Sequence, residues 1–513
     1  MANIRYELIF SILNKSKSLI DLNIHNNLEK KYEYIKQIIL NDEEILTKDE
    51  KLEAIKLLSN TFDKDKILYN EGTKRICENC QKECLAISYC EYCIRNYLKE
   101  NFSNWTSENV GIDNLIRKCQ MESYVPNRII EWIPYNNLKN TKYLTEGGYS
   151  KIYTADWIDG EYFQWNNQER KLKRFGKQEV ILKRLENGES TNRNWFDESL
   201  EPVLFSKTEF KTGATGLICF KPVKSHLTLS NKWSGVVKCY GLTKDPSDGN
   251  YMLVIQQMNM DLREYLQQNR NLTWKEKIDI IFYIINALSQ IHNENAIHRD
   301  LHSGNILFSQ LNQEFYISDL GFCGPADKKL DNIYGNLSYV APEVIFKKET
   351  NFASDIYSIA ILMWEVSSGQ SPFINYARDY YLATEIMNGM RPKIMSSTPL
   401  EYKKLMEQCW HADPTKRPDI NSLHNKIFEI RKLYYQNNQY ENNKQHQTCN
   451  DNIVTSSNYT SATSIYSSDS NSSKFGNLLE IRTVTEAHRS QDNFSIPNKI
   501  ENIGNNSLSS KNN

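Results

Sequence analysis

Residues 298–307 read His298-Arg299-Asp300-Leu301-His302-Ser303-Gly304-Asn305-Ile306-Leu307, and this stretch decides the fold. It places a carboxylate, Asp300, and an amide that can bind a metal ion, Asn305, on one short loop. Two further segments follow in order, Ser318-Asp319-Leu320-Gly321 and Ala341-Pro342-Glu343. The order of these three segments is too specific to arise easily by chance, and it is the strongest signal in the chain.

Residues 298–307 resemble the HRD-L-x-x-x-N catalytic loop of protein kinases. Phosphoryl transfer needs positioned phosphates, magnesium ions that neutralise their charge, and a carboxylate aligned with the attacking hydroxyl. The resemblance makes Asp300 the catalytic base and Asn305 a magnesium ligand. Ser318-Asp319-Leu320-Gly321 stands where these enzymes carry D-F-G, with leucine in place of phenylalanine. Asp319 would therefore bind the magnesium that bridges the β- and γ-phosphates.

The rest of the predicted carboxyl-terminal lobe agrees with this resemblance. Ala341-Pro342-Glu343 matches the end of a kinase activation segment, and Arg417 stands where the family places the partner of that glutamate. Asp355 matches the buried aspartate that supports the backbone of the catalytic loop. The resemblance therefore implies a buried ion pair between Arg417 and Glu343.

The resemblance is weaker in the amino-terminal lobe, where residues 144–153 are similar to the kinase glycine-rich loop. Small residues in that loop let backbone N–H groups approach phosphate. Thr145 and Ser150 replace its first and third glycines, and a tight turn between two strands would explain the segment equally well. The residues that the loop would bring to the nucleotide are Thr145, Glu146, Gly147, Gly148, Tyr149, Ser150 and Ile152.

Residues 180–183, Val-Ile-Leu-Lys, resemble the V-A-I-K strand of protein kinases. This makes Lys183 the residue that pairs with the α- and β-phosphates. A strand ending in a solvated lysine is the usual alternative, and the order of the motifs favours the phosphate ligand. Ile181 replaces the alanine that lies above the adenine ring, so its larger side chain is expected to crowd the nucleotide.

The adenine site follows from the same resemblance. A strand predicted at 251–255 leads into Gln256-Gln257-Met258, whose backbone would bond adenine, and Ile255 would be the gatekeeper. The predicted adenine contacts are Ile181, Ile255, Gln256, Met258 and Leu307.

Three carboxylates compete to be the partner of Lys183 on the regulatory helix. Glu198 is the candidate, and Asp197 and Glu201 are its competitors. Prolines and glycines between residues 199 and 222 break any helix there. We interpret 199–222 as an insertion, either genuine or translated from an intron, that would displace Glu198 and weaken activity.

A cysteine cluster precedes these motifs. Cys77-x-x-Cys80 and Cys90-x-x-Cys93 are separated by residues 81–89. Each C-x-x-C pair curls the backbone so that two thiolates face one ion, and two pairs complete a tetrahedral, structural Zn²⁺ site. Cys84 could replace one ligand, and redox or unrelated cysteines are the alternative. A zinc module would either bind a protein partner or dock on the kinase lobe, and the sequence leaves both open.

Periodicity and composition predict an α+β chain with a bilobal protein kinase fold, in which a small β-rich lobe precedes a larger, mainly helical lobe. Further strands are expected at 236–240, and buried helices at 275–292 and 355–367. Asn and Ser dominate the end of the chain, which has too little apolar surface to offset chain entropy. The predicted divisions are a helical region at 1–70, a zinc-binding module and connector at 71–137, the kinase domain at 138–433, and a disordered tail at 434–513.

Charge and hydropathy argue against several classes of protein. The 62 Lys and Arg residues nearly balance 63 Asp and Glu residues, which disfavours a nucleic-acid binder. No apolar run is long enough to span a bilayer, and the first residues lack the apolar core of a secretory signal. The 11 cysteines therefore indicate reduced thiols or metal ligands. We expect a cytosolic or nuclear protein that uses ATP, Mg²⁺ and protein substrates.

The finer assignment depends on short segments of the carboxyl-terminal lobe. Cys409-Trp410 and residues 355–360 are similar to the tyrosine-kinase-like and tyrosine kinase groups. Residues 335–339 resemble the G-T-x-x-Y of serine/threonine enzymes, with Asn336 replacing the threonine. The chain is therefore identified as a tyrosine-kinase-like serine/threonine kinase that resembles the expanded fungal families, with tyrosine specificity left open.

A pseudokinase scaffold that binds protein partners is the competing hypothesis. The altered residues Thr145, Ser150 and Ile181 favour it, as does the insertion. The intact base and both magnesium ligands favour an active phosphotransferase. A zinc-dependent nucleic-acid binder has only the cysteine pairs to support it.

Overall fold

The computed structural model describes residues 4–21, 24–42, 45–147, 150–185, 220–325, 336–347 and 350–450. Three helices form the first part of the chain: α1 (Tyr6–Ser18), α2 (Leu28–Leu40) and α3 (Lys48–Tyr69). They pack through a core of their own that includes Ile9, Ile39 and Leu58. A capping box fixes the start of α3, because Thr47 accepts from the Glu50 N–H while Glu50 accepts from the Thr47 N–H.

The cysteine module follows, with the short strands β1 (Arg75–Ile76) and β2 (Glu83–Cys84) and helix α4 (Glu91–Glu100). A connector then carries α5 (Val110–Glu122) and β3 (Glu131–Trp132). Asp63 on α3 ties the helices to the module by accepting hydrogen bonds from the Ile87 and Ser88 N–H groups at 2.6 and 2.9 Å.

The small lobe is a twisted sheet with one helix. Its elements are β4 (Leu138–Gly147), β5 (Ser150–Trp157), β6 (Tyr162–Asn166), β7 (Lys171–Arg174), β8 (Gln178–Arg184), α6 (Phe220–Lys232), β9 (Cys239–Lys244) and β10 (Tyr251–Gln256). The strand order is β3-β9-β10-β8-β5-β4, and β6 and β7 form a separate hairpin. The connector strand β3 runs parallel to β9, whereas the other neighbouring strands are antiparallel.

The large lobe is mainly helical. Its elements are β11 (Met260–Asp261), α7 (Leu262–Gln268), α8 (Trp274–Asn293), β12 (Ala296–Ile297), β13 (Ile306–Ser309), β14 (Glu314–Ile317), β15 (Gly324–Pro325), α9 (Pro342–Lys347), α10 (Phe352–Ser368), α11 (Tyr380–Met387), α12 (Leu400–Cys409) and α13 (Ile420–Asn450). Helix α10 is buried along nearly its whole length and forms the centre of the core with α8. The predicted fold class and the helices at 275–292 and 355–367 are confirmed.

One prediction about secondary structure was wrong. The strand expected at 236–240 begins only at Cys239, because Val237 donates its N–H to Ile317 at 2.9 Å and so pairs with the large lobe. Helix α13 ends at Asn450, beyond the predicted domain boundary at residue 433, and the predicted disorder of the tail stays a prediction. Extending a helix that is already packed requires no new nucleus, so adding turns past Tyr435 has a small free-energy cost. Residues 451–513 lie outside the described residues.

The amino-terminal helices lie against the large lobe. Lys432 on α13 pairs with Asp21 at 3.4 Å, and Leu68 of α3 packs against the large-lobe core. None of the described helices combines the length and apolar composition needed to cross a bilayer.

Candidate active site

Asp355 fixes the loop at residues 298–307. Its buried carboxylate accepts hydrogen bonds from the N–H groups of His298 at 2.8 Å and Arg299 at 3.0 Å. It also contacts Nε2 of His292 at 2.9 Å. Burial alone would raise the pKa of Asp355, but the hydrogen bond from His292 helps to hold this pKa below its ordinary value. These bonds also hold Arg299 at a φ of 72°, a left-handed conformation that is uncommon outside glycine.

Asp300 and Asn305 meet on this loop as the sequence predicted. The Asn305 Nδ2 donates to the Asp300 carbonyl at 2.8 Å and lies 3.3 Å from its carboxylate Oδ2. His302 approaches the other carboxylate oxygen at 3.6 Å. The side chain of Asp300 thus has a defined orientation before any ligand binds.

Strand β8 places Lys183 next to the carboxylate of Asp319. The Lys183 Nζ lies 2.6 Å from Oδ1 of Asp319. Asp319 has a φ of 49° and also accepts the Gly321 N–H at 3.2 Å. Burial would raise the pKa of Asp319, but the ammonium of Lys183 holds this pKa well below its ordinary range. The four residues given catalytic roles in the sequence analysis therefore form two contacting pairs.

Helix α6 packs against the Asp319 loop but brings no carboxylate to it. Ser225 donates its hydroxyl to the Cys323 carbonyl at 3.1 Å. The sequence of α6, FKPVKSHLTLSNK, contains neither Asp nor Glu. Glu198 and its competitors lie outside the described residues, as does the insertion up to residue 219. Within the described part of the chain, Lys183 forms its ion pair with Asp319.

His226 is a site residue that the sequence analysis missed. It is buried on α6, and Lys183, Asp319 and His298 lie close enough to affect its pKa electrostatically. Burial first, and then the charge of Lys183, lowers the pKa of His226 to about 3, so the imidazole is neutral at physiological pH. The only sequence signal was a titratable residue at an inward position of a short helix, which is more often structural than functional.

The predicted nucleotide loop is formed by β4 and β5. Thr145 is paired with Ile152, Glu146 with Lys151, and Gly147 with Ser150. Gly148 and Tyr149 lie outside the described residues. Ile152 is also paired with Lys183 on β8, which connects the loop to the lysine.

The predicted adenine residues lie on neighbouring strands. Ile181 on β8 is paired with Ile255 on β10, and Gln256 is paired with Val180. Met258 is partly exposed between β10 and β11, and Leu307 lies on β13 opposite Asp261. This arrangement is compatible with the predicted contacts, which stay a prediction.

The predicted ion pair of the large lobe is present. Arg417 donates to both carboxylate oxygens of Glu343, at 2.7 and 2.8 Å, in a bidentate arrangement. It also donates to the carbonyls of Ala353 at 2.8 Å and His411 at 2.9 Å. The end of the activation segment is thereby fixed to the helical core.

Comparison with known proteins agrees with this geometry. Residues 225–427 match the family model of the protein tyrosine and serine/threonine kinase. This match covers Asp300, Asn305 and Asp319 together with the ion pair. The chain contains a protein kinase domain. Strands β4 to β8 of its small lobe, with Lys183, precede the matched residues.

The relatives of this kinase domain are similar over only part of their length. A putative serine/threonine-protein kinase/receptor R818 from Acanthamoeba polyphaga mimivirus is 33% identical over 155 residues, or 29% of this chain and 9% of that protein. A dual serine/threonine and tyrosine protein kinase from Pimephales promelas is 30% identical over 196 residues, covering 36% and 21% of the two chains. The probable serine/threonine-protein kinase roco7 from Dictyostelium discoideum is 24% identical over 326 residues, covering 61% and 11%.

The cysteine module places four thiols around one point. Cys77 and Cys80 lie on the turn between β1 and β2, whereas Cys90 and Cys93 lie at the start of α4. The Sγ atoms of Cys77 and Cys93 are 3.7 Å apart, and those of Cys80 and Cys90 are 3.6 Å apart. A tetrahedral Zn²⁺ with Zn–S bonds of about 2.3 Å requires sulfur atoms about 3.8 Å apart. The donor set therefore fits zinc.

The module docks on the kinase domain. Its cysteines share a buried cluster with Trp165 and Leu172 of the β6–β7 hairpin. Asn167, in the hairpin turn, donates to the Ser88 carbonyl at 3.2 Å. Of the two arrangements that the sequence left open, docking on the small lobe is the one observed, and a protein partner of the module stays a prediction.

Proposed function

We propose that this protein is an ATP-dependent kinase that transfers the γ-phosphate to serine or threonine hydroxyls of protein substrates in intracellular signalling. The observation that carries the proposal is the juxtaposition of Lys183 with Asp319 and of Asn305 with Asp300. Relatives described as serine/threonine and dual-specificity kinases support the serine/threonine assignment and keep tyrosine as a second acceptor. Membership of the tyrosine-kinase-like group is part of the same proposal.

The donor atoms of the site suit Mg²⁺, which would neutralise phosphate charge when it is bound. Asp319 supplies a carboxylate that its surroundings keep ionised. Because Nδ2 of Asn305 donates to the Asp300 carbonyl, the amide oxygen remains available as a metal ligand. Asp319 and Asn305 would hold the metal in this arrangement.

Lys183 would change partners when ATP binds. Its ammonium now neutralises Asp319, the carboxylate that would hold Mg²⁺ when the ion is bound. The released lysine could then bind the α- and β-phosphates. Asp300 would accept the proton of the substrate hydroxyl, and its hydrogen bond from Asn305, with His302 lying beside it, would keep it oriented.

A pseudokinase scaffold is the second candidate, and one observation favours it. Helix α6 offers no carboxylate to Lys183, which is paired instead with a predicted magnesium ligand. An active kinase requires that lysine to be paired with a glutamate of the regulatory helix. Without this partner, Lys183 would hold the nucleotide less precisely and transfer would be slow.

Labelled phosphate transfer by the full-length chain distinguishes the two candidates. We expect Mg²⁺-dependent incorporation into protein from γ-labelled ATP, none from α-labelled ATP, and a large loss for Lys183→Met. Lys139→Met, at an exposed position of β4 in the same lobe, is the matched control for expression and handling. If the wild-type protein and Lys183→Met incorporate equally little label while the wild-type protein still binds partners, the scaffold hypothesis replaces the enzyme.

We also propose that the four cysteines hold a structural Zn²⁺ ion. The purified full-length protein is expected to contain about one zinc per chain, and Cys77→Ser combined with Cys80→Ser should lose it, since two thiolates are removed. Cys84→Ser is the control, because Cys84 lies near Cys90 and Glu91 but outside the set of four. Elemental analysis would contradict this ligand set if Cys84→Ser alone abolished zinc binding.

A further inference from the structure

The connector between the cysteine module and the kinase sheet is anchored in the module. Val125 and Ile129 belong to the same buried cluster as Cys90, Trp165 and Leu172. Arg95 on α4 donates to the Ser123 carbonyl at 2.9 Å. The position of residues 123–129 therefore depends on the fold of the module.

The same residues bind the carboxyl-terminal end of α6. Arg128 donates to the carbonyls of Ser230 at 2.6 Å and Trp233 at 3.3 Å, and the Tyr124 hydroxyl donates to the Lys232 carbonyl at 3.1 Å. The last carbonyls of a helix have no partner within the helix, and a cation there is favoured by the helix dipole. Arg128 and Tyr124 thus cap α6 with groups that come from outside the kinase domain.

The other side of the connector is built into the kinase sheet. Glu131 of β3 is paired with Gly241 of β9, and Ile133 donates to the Leu242 carbonyl at 2.8 Å. Gly241 has a φ of 151°, and a Cβ atom there would lie 1.8 Å from the Glu131 carbonyl oxygen. Only glycine allows this close approach. The connector is therefore fixed at the module, at the sheet and at α6.

Helix α6 connects residues 123–133 to the active site. Its end is held by Arg128 and Tyr124, whereas Ser225 and His226 lie against the Asp319 loop. A shift of the helix would move His226 relative to Lys183 and Asp319. Among the described residues, α6 itself brings no carboxylate to Lys183, so its packing against the connector is one contact that fixes this geometry.

We propose that the cysteine module and residues 123–133 form an intramolecular brace, in which metal bound by the four cysteines determines how firmly α6 is held at the active site. Arg128 and Tyr124 are positioning residues of this brace. The inference rests on the proposed zinc site and not on the proposed kinase activity, because the brace itself is a property of the folded chain.

Hydrogen exchange of the full-length protein without nucleotide tests the brace directly. We expect amides of α6 to exchange about tenfold faster or more in Arg128→Gln, and also in wild-type protein whose zinc has been removed by a chelator. Amides of α10, in the core of the large lobe, should keep their rates. Lys118→Gln is the matched control, because Lys118 is exposed on α5 and pairs only weakly with Glu122 at 4.0 Å.

Two further measurements make the outcome decisive. Tyr124→Phe removes one hydroxyl and should give a smaller acceleration confined to α6, even if Arg128→Gln folds poorly. Arg128→Lys keeps a cation at the helix end and should restore part of the protection. Unchanged exchange of α6 in both Tyr124→Phe and the chelated protein would overturn the brace, whatever the result of the phosphate-transfer assay. Accelerated exchange together with absent phosphate transfer would support the brace and contradict the kinase activity.

Discussion

Replacement of Asp300 by asparagine is expected to lower the rate of phosphate transfer about 10²–10⁴-fold, which is the usual contribution of a positioned general base. Asparagine has nearly the same shape and can keep the contact with Asn305, so the loop should stay folded. It cannot accept a proton from the attacking hydroxyl. ATP affinity should be nearly unchanged, because Asp300 is assigned no phosphate or metal contact. Single-turnover transfer and fluorescent-nucleotide binding would measure the two effects separately.

Asp379→Asn is the matched control for this prediction. Asp379 caps α11 by accepting the N–H groups of Tyr381 and Leu382, and asparagine is an equally good cap. The control should therefore transfer phosphate at the wild-type rate. Equal rates for the wild-type protein and Asp300→Asn would show that Asp300 is not the base, or that the measured transfer comes from another protein.

The large lobe was predictable because its functional residues lie on short segments with fixed spacing. Asp300 and Asn305 are five positions apart, and their contact is local to one loop. The partner of Glu343 was found because the family motif names Arg417, and the structure has this pair. In such cases the spacing in the sequence predicts most of the geometry, because a short segment can place its two functional residues in only a few relative positions.

The small lobe was less predictable because its contacts join distant parts of the chain. Tyr124 and Lys232 are 108 positions apart, and neither residue carries a motif that predicts the other. The β6–β7 hairpin covers the cysteine module through Trp165 and Leu172, which resemble ordinary strand residues in the sequence. The pairing of Lys183 with Asp319 likewise depends on the relative position of the two lobes. Tertiary packing determines these contacts, and local propensity does not encode them.

Breaking the ion pair between Glu343 and Arg417 should have the largest effect on stability. Glu343→Gln keeps the shape of the side chain but leaves the guanidinium of Arg417, whose side chain is fully buried, without its counter-charge. Removing one partner of a buried pair typically costs about 3–5 kcal/mol, because the remaining charge is neither solvated nor neutralised. The carbonyls of Ala353 and His411 would satisfy hydrogen bonds but would not replace the negative charge. Urea unfolding followed by circular dichroism should show this loss.

An exposed pair offers the matched control. Lys404 and Glu401 on α12 are 2.8 Å apart but both are well exposed, so Glu401→Gln should cost at most about 1 kcal/mol. Replacing both buried partners, Glu343→Leu with Arg417→Met, then separates two causes of the loss. If the cost comes from the orphaned charge, the double variant should be more stable than Glu343→Gln, because apolar side chains can fill the site without a buried ion. A double variant as unstable as Glu343→Gln would instead mean that the bidentate geometry itself holds the activation segment to the core.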